Sequence, residues 1–130
     1  MKALCARLKN IKEAGAYQLN CSVGELREAA EESSYTLFEC DLAGRQGKGE
    51  FLAAIAQAIK APEWFGHNFD ALADALSDLS WSEAPGYVLL LRNGGEMLGL
   101  QNDHSIATEI FADAAAFWKS QGKAFWIFYC

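Results

Sequence analysis

The chain has 130 residues, of which 52% are hydrophobic and 22% are charged, and its formal net charge is −6. This length and composition indicate one globular domain with a sizeable core, and they exclude a disordered or low-complexity chain. The acidic balance offers no cluster of Lys and Arg for nucleic acid, and no apolar run approaches the ~18 residues that cross a bilayer, so we expect neither partner. The chain also begins without the apolar segment of a signal peptide, which predicts a cytoplasmic protein.

Predicted strands and helices alternate along the chain. Ser22-Val-Gly-Glu25 fits a capping box that opens a helix, and Tyr87-Val-Leu-Leu-Leu91 is a continuous apolar run typical of a buried strand. The predicted strands are 16–20, 36–42, 87–91 and 124–129, and the predicted helices are 22–32, 50–60 (ended by Pro62), 68–79 and 106–120 (ended by Gly122). This alternation predicts an α/β fold whose last three strands lie parallel in one sheet, with 16–20 as a candidate fourth strand.

The last predicted helix has the most regular apolar spacing. Its apolar residues recur at positions 106, 110, 111, 114, 117 and 118. That spacing predicts an amphipathic helix with one broad apolar face.

The cysteines and the glycine-rich loop lack the spacing of known metal or phosphate sites. The four cysteines (Cys5, Cys21, Cys40 and Cys130) form no C-x-x-C pair, and the chain contains only two histidines that could complete a zinc site. We therefore expect thiols rather than a zinc site or disulfides. The loop from Gly44 to Gly49 lacks the spacing of a phosphate loop, and we interpret it as a strand-to-helix turn. No cofactor is predicted.

The charge is distributed unevenly along the chain. Residues 1–60 hold eight basic and eight acidic residues, whereas residues 61–130 hold three basic and nine acidic ones. The excess acid of the second half either attracts a basic partner or forms a solubilising surface.

The helix predicted at 68–79 places apolar residues and acidic residues on opposite faces. At about 100° per residue, Phe69, Leu72, Leu76 and Leu79 fall on one face, which we expect in the core. Asp70, Asp74 and Asp78 fall on the opposite face, which we expect to be exposed, and Asn68 is the predicted N-cap. Like charges four residues apart cost an isolated helix about 0.2–0.5 kcal/mol per pair, and helix-start chemistry explains only Asp70.

A long ordered motif surrounds this helix start. It runs from Pro62 to Leu72 and reads Pro-Glu-Trp-Phe-Gly-His-Asn-Phe-Asp-Ala-Leu, with Asp74, Leu76 and Trp81 after it. It resembles the signature of the barstar family of intracellular ribonuclease inhibitors, and the resemblance covers roughly residues 35–130. The resemblance implies a barstar-like fold with a parallel sheet and packed helices, and it makes residues 1–34 an N-terminal extension that packs on the same domain.

The resemblance also implies a mechanism and a set of contact residues. In the family, the helix and the loop before it plug the cationic active site of a guanine-specific secreted ribonuclease. Asp74 matches the carboxylate that occupies a phosphate site, Asp70 a second acidic contact, and Trp64 an aromatic contact. Ala73 departs from the pattern, because the best-known inhibitor has Trp there. The partner-binding residues implied in this way are Trp64, Gly66, His67, Asn68, Asp70, Ala73, Asp74 and, on the closing helix, Asp113.

The leading hypothesis is therefore a monomeric protein inhibitor of a basic ribonuclease or related nuclease toxin. The alternative is an interaction or regulatory module that keeps the fold without a nuclease target. A third hypothesis is a small enzyme that uses His67 with Asp70 and Asp74, with or without a metal ion. The chain offers no nucleophile paired with a base, and we expect no enzymatic activity.

Overall fold

A computed structural model describes residues 7–44, 47–62, 68–93 and 103–130. The described strands form one four-stranded, all-parallel sheet in the order β1-β4-β3-β2. The strands are β1 (Ala16–Gln18), β2 (Thr36–Asp41), β3 (Gly86–Arg92) and β4 (Ala124–Tyr129). The α/β prediction with parallel strands is confirmed, and the candidate fourth strand is present at the sheet edge beside β4.

The central strand β3 explains why its sequence is apolar without alternation. Tyr87 lies opposite Thr36 on one side and Phe125 on the other, so β3 has a partner strand at each edge. Its residues from Gly86 to Leu91 are all buried, because helices and loops cover both faces of the sheet. A parallel strand buried on both faces has no position at which a polar side chain reaches water.

The four helices of the described residues divide between the two faces of the sheet. They are α1 (Val23–Glu32), α2 (Gly47–Ala58), α3 (Phe69–Leu76) and α4 (Asp103–Ser120). The last three build the larger core cluster against one face, and α1 builds the smaller cluster against the other, together with the segment that contains Leu8 and Ala14. The indole Nε1–H of Trp126 donates to the Leu8 carbonyl at 2.9 Å within this smaller cluster.

Backbone pairing also joins the described part of the N-terminal region to the sheet. β1 pairs with β4, and the 3-10 turn Ile11–Glu13 precedes it. α1 begins where the capping box predicts, because the Ser22 hydroxyl accepts from the Glu25 amide at 3.0 Å.

The end of α2 differs from the prediction. The helix begins at Gly47, inside the glycine-rich loop, and ends at Ala58, before Pro62 can stop it. Lys60 adopts a left-handed conformation (φ 55°), and the Ala61 amide donates back to the Ala56 carbonyl at 2.9 Å. This hydrogen-bonding pattern closes a helix without proline, and it is normally built on glycine.

Two further predictions about helix faces are wrong in part. α3 ends at Leu76, so Asp78 lies beyond the helix, where it accepts from the Ser80 hydroxyl at 3.2 Å. In α4 the buried residues are Ala107, Phe111, Ala114, Ala115 and Trp118, whereas Ile106 and Phe117 are exposed. The buried face of α4 is therefore narrower than the apolar spacing implies.

Candidate partner-binding surface

The start of α3 is fixed by its own side-chain cap. Asn68 has an extended backbone, and its side-chain Oδ1 accepts from the Ala71 amide at 2.8 Å. The predicted N-cap is thus confirmed, and Asp70 lies in the first turn, where the helix dipole favours a carboxylate.

The buried face of α3 holds the helix against the core. Leu72, Ala75 and Leu76 are fully buried, and the indole of Trp118 in α4 donates to the Leu76 carbonyl at 2.7 Å. Phe69, predicted in the core, is only half-buried and packs against the edge of the cluster. The helix is therefore anchored mainly along its last two turns.

Two contacts define the direction of α3. The Nζ atom of Lys48, in the first turn of α2, lies 5.4 Å from the centroid of the Phe69 ring. At the other end, Leu76 meets Trp118 in the last turn of α4. Since α2 follows the carboxyl end of β2 and α4 precedes the amino end of β4, α3 runs from the carboxyl edge of the sheet toward its amino edge, in the same sense as α2 and α4.

The outer face of α3 carries unneutralised charge. Asp70 and Asp74 are both exposed, as predicted. Two ion pairs occur among the described residues, Arg7–Glu13 and Arg27–Glu39, and neither involves an acid of α3. Lys48 borders this surface through its contact with the Phe69 ring.

The ion pairs belong to the first sixty residues of the chain. Arg27 in α1 donates twice to Glu39 in β2, at 2.9 and 2.8 Å. This hydrogen-bonded guanidinium holds the pKa of Glu39 below its ordinary value. Two of the eight acids in that half of the chain, Glu13 and Glu39, thus have cationic partners within the fold.

The structure brings four of the eight predicted contact residues onto one helix and its cap. Asn68, Asp70 and Asp74 are exposed, and Ala73 is half-buried beside them. Asp113 is exposed on α4, the helix that packs against α3. The predicted loop contacts Trp64, Gly66 and His67 lie outside the described residues.

The sequence reasoning missed two exposed apolar side chains close to Asp113. Ile106 is 43% exposed and Phe117 is 39% exposed, and they are the two exposed large hydrophobic side chains in the described parts of the chain. The signal in the sequence was that Ala107, Phe111, Ala114 and Trp118 already form a complete buried face, which leaves the other apolar residues at its margin.

The described residues contain neither a candidate metal site nor a candidate membrane-spanning helix. Among those residues, no group of three or more His, Cys, Asp or Glu side chains is placed to hold a metal ion. In the same ranges, no helix combines the length and apolar character needed to cross a bilayer. Cys40 is a buried thiol and Cys130 an exposed one, and Cys5 lies outside the described residues.

Comparison with known proteins identifies one family. A family model described as barstar (barnase inhibitor) matches residues 35–130. The match starts just before β2 and includes α2, α3 and α4, so it contains the whole of the acidic surface described above. A search of curated proteins gives no significant match to the chain.

Proposed function

The chain belongs to the barstar family, and we propose that it is a protein inhibitor of a basic ribonuclease or related nuclease toxin, bound through α3 and the loop before it. The observation that supports this proposal is the outer face of α3. Asp70 and Asp74 are exposed there, and in the described residues neither belongs to an ion pair. Exposed acids without internal partners remain available for the cations of another protein.

The inhibition would be both steric and electrostatic. A ribonuclease binds RNA through cationic side chains that contact the phosphates. In the proposed complex, Asp74 and Asp70 take the positions of phosphates in that cleft, and the body of α3 blocks the entry of RNA. No covalent chemistry, metal or cofactor takes part.

The way α3 is held favours such binding. The Asn68 cap fixes its first turn, and the Trp118 hydrogen bond fixes its last residue. A helix that is already ordered loses little conformational entropy on association, so more of the interaction free energy appears as affinity.

The proposed contacts differ in their expected contribution to binding. Asp74 is the central acid, with Asp70 and Asn68 toward the helix start and Asp113 on the neighbouring helix. Trp64, Gly66 and His67 are the proposed contacts of the preceding loop. Ala73 supplies little apolar area, so we expect weaker binding to the nuclease of the best-known family member than to this protein's own target.

The test is inhibition of a panel of basic guanyl-specific ribonucleases, measured at low and moderate salt. Wild type should inhibit at least one of them, less strongly as salt is added, because steering by exposed charges is screened. Asp74→Ala should cost at least about 2 kcal/mol of binding free energy, because it leaves a cation of the partner buried and unpaired.

Asp78→Ala is the matched control, because Asp78 carries the same charge but lies beyond the end of α3. It should cost under about 1 kcal/mol, as a charge at the rim does. If no ribonuclease is inhibited, or if both substitutions cost the same, the alternative of an interaction module without a nuclease target takes the place of this proposal.

A further inference from the structure

Three apolar residues at the margin of the buried face of α4 form a strip along the helix. Ile106, Ile110 and Phe117 follow one another at intervals of four and seven residues, and Asp113 lies between the last two. At about 100° per residue these four positions fall within roughly 60° of one another. Ile106 and Phe117 are exposed, and Ile110 is half-buried against the core. Ile106 and Phe117 are eleven positions apart, so the strip extends along about 16 Å of helix.

The strip lies on the flank of α4 that faces α3. On the opposite flank, the Lys119 ammonium donates to the carbonyl of Lys12, in the 3-10 turn before β1. Across the sheet, β1 and β2 are the two edge strands, α2 packs on β2, and α3 packs on both α2 and α4. The order of the helices across this face is therefore α4, α3 and α2, and the 3-10 turn lies at the β1 edge of the sheet, beside α4.

This order makes the strip and the acidic face of α3 neighbours. Lys119 and Phe117 flank Trp118 in the sequence and project to opposite sides of it. Since the Lys119 side faces the 3-10 turn, the Phe117 side faces α3. One surface thus combines Asp70 and Asp74 of α3 with Asp113 and the apolar side chains of α4.

Phe117 is also held in place. Its ring meets the Trp118 ring edge-on, with centroids 5.3 Å apart. The Trp118 indole is itself fixed by its hydrogen bond to the Leu76 carbonyl. A large aromatic side chain that is exposed yet supported from below resembles the anchor residues that dominate protein interfaces.

We propose that this strip of α4 (Ile106, Ile110 and Phe117, with Asp113) is the second half of the nuclease-binding surface, and that it packs against an apolar patch beside the partner's cationic cleft. This inference rests on the proposed function. It assigns to Phe117 the aromatic contact that Ala73 does not provide on α3, and it predicts a partner whose apolar patch borders basic residues.

The carboxylates on the strip favour a basic partner over a second copy of the chain. Asp113 and Glu109 lie near the middle of the strip, and both are exposed. A two-fold pairing of the strip with itself would place four carboxylates around one axis, and such like-charge contact opposes association. A basic partner instead offers cations to Asp113 while it covers the apolar residues.

The experiment compares inhibition constants against whichever ribonuclease of the panel wild type inhibits most strongly. The double variant Ile106→Ala with Phe117→Ala should raise the inhibition constant about tenfold or more, as the loss of an aromatic anchor does. The loss should be the same factor at low and moderate salt, because apolar contacts are not screened, whereas the loss for Asp74→Ala should shrink as salt is added.

Val23→Ala provides the matched control, because Val23 is a half-buried apolar residue of α1 on the other face of the sheet. It should leave the inhibition constant unchanged, and circular dichroism should show that all variants are folded. Phe117→Tyr, which keeps the ring, should retain most of the inhibition.

Three results would overturn the inference. If the double variant inhibits like wild type while Asp74→Ala is impaired, the proposed function stands and the role of the strip is wrong. If sedimentation shows a wild-type dimer that the double variant dissociates, the strip joins two copies of the chain. If wild type inhibits no ribonuclease at all, the inference falls together with the proposed function.

Discussion

α1 and α3 are two short acidic helices built by the same local rules. Each begins at a side-chain cap, Ser22 in one and Asn68 in the other. Each buries apolar residues against the sheet or its helices and exposes carboxylates to solvent. Nothing in their local structure separates a helix that covers the fold from one that binds a partner.

The difference lies in the charges around them. Arg27 of α1 forms an ion pair with Glu39 that contains two hydrogen bonds. The net charge of residues 1–60 is zero. α3 carries Asp70 and Asp74, and no basic residue occurs between positions 61 and 91. The comparison teaches that the two helices are alike in local structure and differ in the net charge of the sequence around them, which makes α3 the candidate binding surface.

The largest effect should come from removing the region that contains α1. We infer that residues 1–34 belong to the same folding unit as the rest, because α1 and Leu8 cover Val88, Leu90 and Trp126 on one face of the sheet. A chain that starts at residue 35 should lose cooperative unfolding and aggregate, since it exposes an extended apolar face. Thermal unfolding and light scattering check this, and a stable, monomeric truncated chain would contradict it.

Single core substitutions should affect the two helices equally. Leu26→Ala in α1 and Leu76→Ala in α3 each remove a fully buried side chain. Each should lower the free energy of unfolding by about 2–5 kcal/mol, the usual cost of a cavity. Denaturant unfolding measures both, and a cost below about 1 kcal/mol for only one of them would show that its helix is not packed as described.

The helix caps give a smaller and similarly symmetric effect. Ser22→Ala and Asn68→Ala should each cost about 0.5–2 kcal/mol of stability through the loss of one side-chain hydrogen bond to an amide. Asn68→Ala should in addition weaken ribonuclease inhibition, because it loosens the turn that holds Asp70. Equal loss of inhibition for the two cap variants would contradict the functional difference between the helices.

The smallest effect should be the acid dependence of the α1 ion pair. Arg27 lowers the pKa of Glu39 in the folded state from its ordinary value of 4.5. The pair therefore contributes stability above about pH 4.5, and this contribution is lost as the pH falls through the lowered folded value. The stability difference between wild type and Glu39→Gln should shrink over that range, as followed by denaturant unfolding. A difference independent of pH would contradict the pairing.

Much of this arrangement follows from sequence patterns. The apolar runs at Tyr87 and Ala124 predict buried strands because only a sheet covered on both faces needs such runs. The Asn68 cap and the exposure of Asp70 and Asp74 follow from a helical period of 3.6 residues and from capping chemistry. These features depend on residues that are close together in the sequence, which is why the sequence predicts them.

What the sequence did not predict depends on tertiary contacts. The helical period extends the predicted helix to Leu79, whereas α3 ends at Leu76 and the chain turns at Leu79, a fully buried leucine in a left-handed conformation (φ 51°). The exposure of Ile106 and Phe117 depends on which part of the broad apolar face of α4 meets the sheet. Periodicity identifies a face but does not fix the rotation of a helix about its own axis.

The most direct test of the central claim compares two charge-matched double variants in one association experiment. Asp70→Ala with Asp74→Ala on α3 and Glu28→Ala with Glu31→Ala on α1 each remove two exposed carboxylates and take the net charge from −6 to −4. The association rate with an inhibited ribonuclease is then measured by stopped flow across a range of salt concentrations. We predict that the α3 variant associates more slowly and with a weaker salt dependence, while the α1 variant stays close to wild type. Equal slowing of both variants would show that net charge, rather than the acidic face of α3, drives the association.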